Sequence, residues 1–159
     1  MITPIDSAGR IDIIEVGDQT ALICLDVPEV QRIVVEQLYE LHYKIHTGLS
    51  AEDMLLKMRA HVYDVIIVSA HFNATLIEEN PVFLGATRVP PGQRRHQIVV
   101  LVGSDFSTGN EMQAFAFSVD LVVGLSDVVN LRPILRRTVE HHREFYAPFH
   151  DAEKPTEFA

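Results

Sequence analysis

Asp26, Ser69, Gly103, Ser104 and Asp105 directly follow three apolar runs: Ala21-Leu22-Ile23-Cys24-Leu25, Val65-Ile66-Ile67-Val68 and Ile98-Val99-Val100-Leu101-Val102. A carboxylate, a hydroxyl and a tight turn with free amides are the groups from which cation binding, nucleophilic attack and phosphate binding are built. Each also has a plainer reading. Asp26 stands at a strand-to-helix turn, where aspartate is a favoured helix N-cap. Ser69 has no base or nucleophile motif around it, so a strand-end hydroxyl bonded to backbone is expected. Gly103-Ser104-Asp105 lacks the glycine pattern of a phosphate loop and reads as a turn. Of the eight histidines, His71 lies nearest these positions and is read as a loop contact. His42 and His46 fall at a helix end and on an edge strand, and adjacent His141 and His142 point about 100° apart on a helix. No spacing builds a zinc site, so no metal is expected.

The elements that position these residues follow from short apolar runs without alternation, which read as strands covered on both faces. Tyr43–Thr47 is a short alternating strand whose Lys44 and His46 suit a sheet edge. Asp120–Gly124 is the last strand. Between them, helices are expected at about 28–42, with Pro28 in the first turn, and from Ser50, an N-cap, with Met54, Leu55, Met58 and Val62 buried. Further helices are expected at 81–88 after Asn80-Pro81, stopped by Pro90-Pro91-Gly92, at 109–118 behind a Thr108–Glu111 capping box, and at 131–147 capped by Asn130. Residues 71–79 form a long loop. Ile11–Val16 reads as an extra strand that crosses to the edge beside the second strand or pairs with another copy. The β-α alternation with right-handed crossovers gives a three-layer α/β sandwich, a doubly wound (βα)5 parallel sheet of order 2-1-3-4-5. The chain divides into an arm with an extra strand (1–19), a domain (20–147) and a tail (148–159) expected to fray from Pro148.

Composition narrows the function classes. The chain has 159 residues, 47% hydrophobic and 22% charged, which suits one globular domain. A net charge of −9 with no basic stripe opposes nucleic acid and anionic membranes as partners. The single cysteine, Cys24, lies in an apolar strand and reads as a buried thiol in a reducing cytosol. The start of the chain has no basic segment followed by an apolar one, so no signal peptide is expected, and no apolar run reaches spanning length.

Leu25-Asp26-Val27-Pro28 resembles the acidic segment after the first strand of response-regulator receiver (CheY-like) domains, a flavodoxin-like fold. His61-Val62-Tyr63-Asp64-Val65-Ile66-Ile67-Val68-Ser69 resembles their third strand, which ends at the phosphoacceptor. The likeness spans about residues 20–147 and is close to bacterial proteins in which a degenerate receiver-like domain can follow a zinc ribbon, absent here. It implies a phosphoacceptor position at Ser69 and an acidic pair at Leu25 and Asp26, of which one acid remains. It also implies a hydroxyl position at Gly103, beside Ser104, and a lysine position at Gly124. With one acid, no acceptor carboxylate and no lysine, the pocket is degenerate, and ordinary aspartyl phosphorylation is not expected. The resemblance further implies an interface on the fourth helix, fifth strand and fifth helix, here Met112, Phe115, Leu121, Val122 and Val123, although core packing accounts for most of that apolar character.

The reading is therefore a cytoplasmic, non-enzymatic signalling module without cofactors, a pseudo-receiver forming a homodimer or binding a protein partner. Two alternatives stay open: a small-molecule binder or enzyme on the same sheet, and an atypical receiver using Asp26. A flavin is opposed by the acidic, glycine-free Asp26-Val27-Pro28-Glu29 loop.

Overall fold

The computed structural model describes residues 9–48 and 50–153. Five parallel strands form one sheet: β1 (Thr20–Cys24), β2 (Lys44–Thr47), β3 (Val65–Ser69), β4 (Ile98–Gly103) and β5 (Leu121–Gly124). Their order is β2-β1-β3-β4-β5, as expected. The register sets Ile67 beside Ile23 on one side and Val100 on the other. Six helices surround it: α1 (Pro28–Glu40), α2 (Ala51–Ala60), α3 (Pro81–Thr87), α4 (Pro91–Arg94), α5 (Glu111–Ala116) and α6 (Leu131–Glu153).

Alternate residues of each strand face opposite cores, which is why the strands show no polar alternation. Ala21, Ile23, Val65, Ile67, Val100 and Val123 pack with Val34, Val35 and Leu38 of α1 and Leu131 and Leu135 of α6. Leu22, Cys24, Ile66, Val68, Leu101 and Val122 pack with Met54 of α2, Val82 and Phe83 of α3 and Ala114 of α5.

Local signals set several helix starts. Pro28 opens α1, Ser50 caps α2 by accepting from the Asp53 N–H, and Asn80 caps α3 by accepting from the N–H groups of Val82 and Phe83. Other expectations are corrected. The cap of α1 is Val27, without a side-chain bond, so Asp26 is not the N-cap. The cap of α5 is Asn110, which accepts from the Gln113 N–H, in place of the Thr108 box. Pro90-Pro91-Gly92 both ends α3 and begins the one-turn α4. Val62 is exposed, because it lies past the end of α2. Helix α6 runs through Pro148 to Glu153, so the chain does not fray at that proline. The rest of the expected tail, 154–159, and arm residues 1–8 lie outside the described residues.

The extra strand is reduced to a single antiparallel bridge between Ile11 and His46, at the expected β2 edge and within the same chain. Its polar groups hold it there. The Asp12 carboxylate accepts from the Ile45 N–H at 2.8 Å, and the Thr47 N–H donates to the Arg10 carbonyl at 2.8 Å. Below the bridge, the Tyr63 hydroxyl donates to His46 Nδ1 at 2.8 Å, and His46 Nε2 donates to the Asp12 carbonyl at 2.8 Å. A carbonyl only accepts, so it selects this tautomer.

Burial raises the pKa of the Cys24 thiol and pushes the Tyr63 phenol from 10.0 up to about 12. Both protonated forms are thus favoured by the fold. The stability they contribute is complete below their unfolded values and is lost as pH rises toward the folded ones. The thermal midpoint should fall progressively between about pH 9 and pH 12. Replacing Cys24 by Ala should delay the onset to about pH 10, where the raised phenols of Tyr63 and Tyr43 act. Calorimetry across that range checks this, and an unchanged onset would contradict it.

Candidate functional site

The carboxyl ends of β1, β3, β4 and β5 bring Asp26, Ser69, Gly103, Ser104 and Gly124 to one end of the sheet. Their surroundings are closed by loops, and each loop contact has a local cause. Asp26 is exposed, with its carboxylate turned across the pole to accept the Asn73 N–H at 2.9 Å. Its own N–H is 3.4 Å from Ser69 Oγ. The Ser69 hydroxyl is thus a backbone partner, in line with the plainer sequence reading.

The loop after β3 turns back in two short 3-10 turns, Phe72–Ala74 and Ile77–Glu79. Asn73 and Ala74 both take positive φ, 54° and 61°, conformations that cost an alanine about 1 kcal/mol or more. The Asp26 carboxylate and His71 hold that turn. His71 Nδ1 donates to the Thr75 carbonyl at 3.0 Å, and its Nε2 lies 3.7 Å from the Asp105 carboxylate. His71 is thus a loop contact, as expected.

Asn80 is fully buried and organises this end of the site. Its amide nitrogen donates to the carbonyls of Ser69, at 2.7 Å, and Ala70, at 3.1 Å, while its Oδ1 caps α3. The Asn-Pro pair signals the cap, but nothing local shows that the same side chain ties down the end of β3.

Gly124, where the resemblance implies a lysine, is covered. A Cβ on Gly124 would come within 2.8 Å of the Phe106 carbonyl oxygen and 3.4 Å of Thr108 Oγ1. The Gly124 N–H donates to Thr108 Oγ1 at 2.9 Å, and the Thr108 hydroxyl donates to the Asp127 carboxylate at 2.5 Å. The Gly109 N–H adds a bond to the Val122 carbonyl at 3.0 Å. On Gly103, a Cβ would meet the Phe106 ring at 3.0 Å and Ala70 Cβ at 3.2 Å. The loop 106–109 therefore lies directly over both glycines: a side chain on Gly124 would strike the Phe106 backbone, and one on Gly103 would require the Phe106 ring to shift. Ser104 and Asp105 point to solvent.

Receiver chemistry uses a divalent cation, which takes about six oxygen ligands. Among the described residues, no three His, Cys, Asp or Glu side chains gather as a metal site. Of the acidic pair that the resemblance implies at Leu25 and Asp26, Asp26 has one oxygen already bonded to the Asn73 N–H. Its neighbour Leu25 is a buried core residue. The donor set does not fit a receiver-type magnesium ion.

The residues expected to form an interface split into two groups. Leu121, Val122 and Val123 are buried in the two cores, so β5 offers no apolar side chains to a partner. Met112 and Phe115 are 77% and 84% exposed, so core packing does not account for them. The packing of α5 comes instead from Ala114, with Phe117 just beyond it stacked edge-on against Phe83 and Phe106. A groove of about 450 Å³ runs between α5, β5 and α6, with Phe115 on one wall and Phe145 and Tyr146 on the other.

No protein-family sequence model and no curated protein match the chain. Solved structures do. The chemotaxis protein CheY4 of Vibrio cholerae aligns over 77% of this chain and 99% of its own, at 16% identity and a TM-score of 0.59. A CheY-like receiver domain from Methylobacillus flagellatus aligns over 77% and 99%, at 21% identity and a TM-score of 0.57. The receiver domain of a sensor histidine kinase from Pseudomonas aeruginosa, which has magnesium coordinated in its active-site cleft, aligns over 78% and 99%, at 16% identity and a TM-score of 0.59. The chain has the CheY-like receiver fold.

Replacing Asn80 by Ala removes a helix cap and leaves two strand-end carbonyls without their donor. It should destabilise the fold by about 2–4 kcal/mol in urea titrations. A loss below about 1 kcal/mol would show that the Ser69 and Ala70 carbonyls are satisfied by other means.

Proposed function

We propose that this chain is a receiver-like signalling module that does not undergo ordinary aspartyl phosphorylation and acts by binding protein. The observation that carries this reading is the loop 106–109 seated over Gly124. A lysine there would steady a transferred phosphoryl group, and the Phe106 carbonyl occupies the space where its side chain would begin. Two further points support it. The acceptor position is Ser69, which has no base beside it and bonds toward backbone. The remaining acid, Asp26, holds the Asn73 N–H. Conversion of the pocket from chemistry to structure leaves recognition surfaces as the output. We assign the module to residues 20–147, in a cytoplasmic setting and without cofactor or catalytic turnover. Among the described residues no helix is long and apolar enough to cross a membrane.

The test is titration of the 15N-labelled chain with magnesium and beryllofluoride, which mimics a phosphoryl group on a carboxylate. The amides of Asp26, Ser69 and Gly124 should not shift. Saturable shifts there, or magnesium-dependent labelling by acetyl phosphate that Asp26→Asn abolishes, would overturn the reading.

The partner surface is the α5–β5–α6 face, and the occupant proposed is a second copy of this chain. Exposed Met112 and Phe115 on α5 and Phe145 on α6 form its apolar rim. Light scattering after size exclusion should give a dimer mass. Phe115→Glu, at an exposed position, should return the monomer with an unchanged thermal midpoint. A monomeric parent chain at about 100 µM would remove the homodimer from the proposal.

A further inference from the structure

At the opposite end of the sheet from Asp26, a cleft of about 330 Å³ opens between the turn before β1, the first residues of β3, and α6. Tyr43, just before β2, stands in its wall. Its ring is packed in the α1–α6 core and the residue is only 7% exposed, yet its hydroxyl has no hydrogen bond among the described residues. Burial and the Asp64 carboxylate push its phenol up, and the Arg143 guanidinium pulls it down; Asp64 and Arg143 line the same cleft.

The acids of the cleft are already engaged. Asp64 accepts from the Thr20 N–H at 2.8 Å, and Asp18 accepts from the Glu15 N–H at 2.8 Å. The cations are less committed. Arg10, Arg32, Lys57, Arg94 and Arg132 each pair with a carboxylate. Arg143 makes no ion pair among the described residues, and neither does Arg136, seven residues earlier on the same face of α6. Arg136 lines an adjoining space of about 200 Å³ that shares Tyr43, Gln19 and Arg143 with the cleft and is bounded by Glu140. Arg95, His96 and His142 also border the cleft, with the Arg95 guanidinium 5.0 Å from the Phe149 ring. The Tyr43 phenol and the Arg143 guanidinium thus line one space of small-molecule size, with Arg136 lining the space beside it, in a chain of net charge −9.

We propose that this cleft binds a compact metabolite carrying an oxyanion, a phosphate or a carboxylate, held by the Tyr43 hydroxyl and the Arg143 and Arg136 guanidinium groups. The guanidinium fork matches two oxygens of either group, and the phenol donates to one of them. Val139 supplies an apolar wall for the ligand body. This site is at the other pole from Ser69 and stands whether or not the phosphorylation pocket is active.

The experiment is NMR titration of the full chain with sodium phosphate and, separately, sodium acetate, against sodium chloride at matched ionic strength. The amides of Gln19, Tyr43 and Val65 should shift saturably with one or both anions. A response to phosphate alone assigns a phosphoryl ligand, and a response to acetate alone assigns a carboxylate. Arg143→Gln should weaken binding by about tenfold or more, and Tyr43→Phe by several-fold. Arg143 is exposed, so its variant carries the test even where Tyr43→Phe lowers stability. Shifts that rise linearly as with chloride, or that both variants leave unchanged, would overturn the proposal.

Discussion

Four consecutive aliphatic residues in β3, Val65 to Val68, can be buried together only if both faces of the strand are covered. That constraint governs the rest of the molecule. It forces crossover helices onto both sides of the sheet and leaves no polar side chain within β3 before Ser69. Chemistry is thereby confined to strand ends, where the chain leaves the core and backbone groups need new partners. Both poles are consequently polar, but they solve the problem differently.

At the carboxyl pole the partners come from the protein itself. Asn80 takes the carbonyls at the end of β3, Asp26 takes the Asn73 N–H, and Thr108 takes the Gly124 N–H. Each residue type there could support catalysis, and each is occupied in closing a loop. A receiver-type pocket needs an acid cluster open to a cation and a cation reaching an anion. Here the glycine at 124, where the resemblance implies a lysine, lies under the loop 106–109. At the amino pole, the two acids are bonded to backbone, whereas Tyr43, Arg136 and Arg143 keep bonding capacity for something else. The fold thus commits polar groups at its carboxyl pole to loop contacts and leaves less committed ones at the far end.

The β2 edge shows the same logic on a smaller scale. An edge strand exposes unpaired amides, and Asp12, Arg10 and the Ile11 bridge satisfy them without a full ladder. One bridge suffices because side chains share the work: the Asp12 carboxylate takes an amide and its carbonyl takes His46. The isoleucine- and valine-rich Ile11–Val16 run suggested a strand because residue type reports a preference for extended backbone, and it carries no information about how many backbone bonds a neighbour can return.

Much of the fold was legible in the chain. The apolar runs, their length and their spacing by helical patterns determined a doubly wound parallel sheet and its strand order, because burial on two faces and right-handed crossovers leave few arrangements. Ser50 and Asn80 announced their helices, since a cap acts within three residues. The receiver resemblance also singled out Ser69 and Gly124 as the positions where the expected acceptor and lysine are missing. What only the tertiary structure decided is how the chain surrounds those positions: that Phe106 and Thr108 lie on Gly124, that Asp26 holds a loop 47 residues away, that Met112 and Phe115 face outward while β5 is buried, and that Tyr43 and Arg143 line one cleft. Each of these is a contact between segments distant in sequence, set by how the loops pack once the sheet has formed, and no local pattern of spacing or charge encodes it.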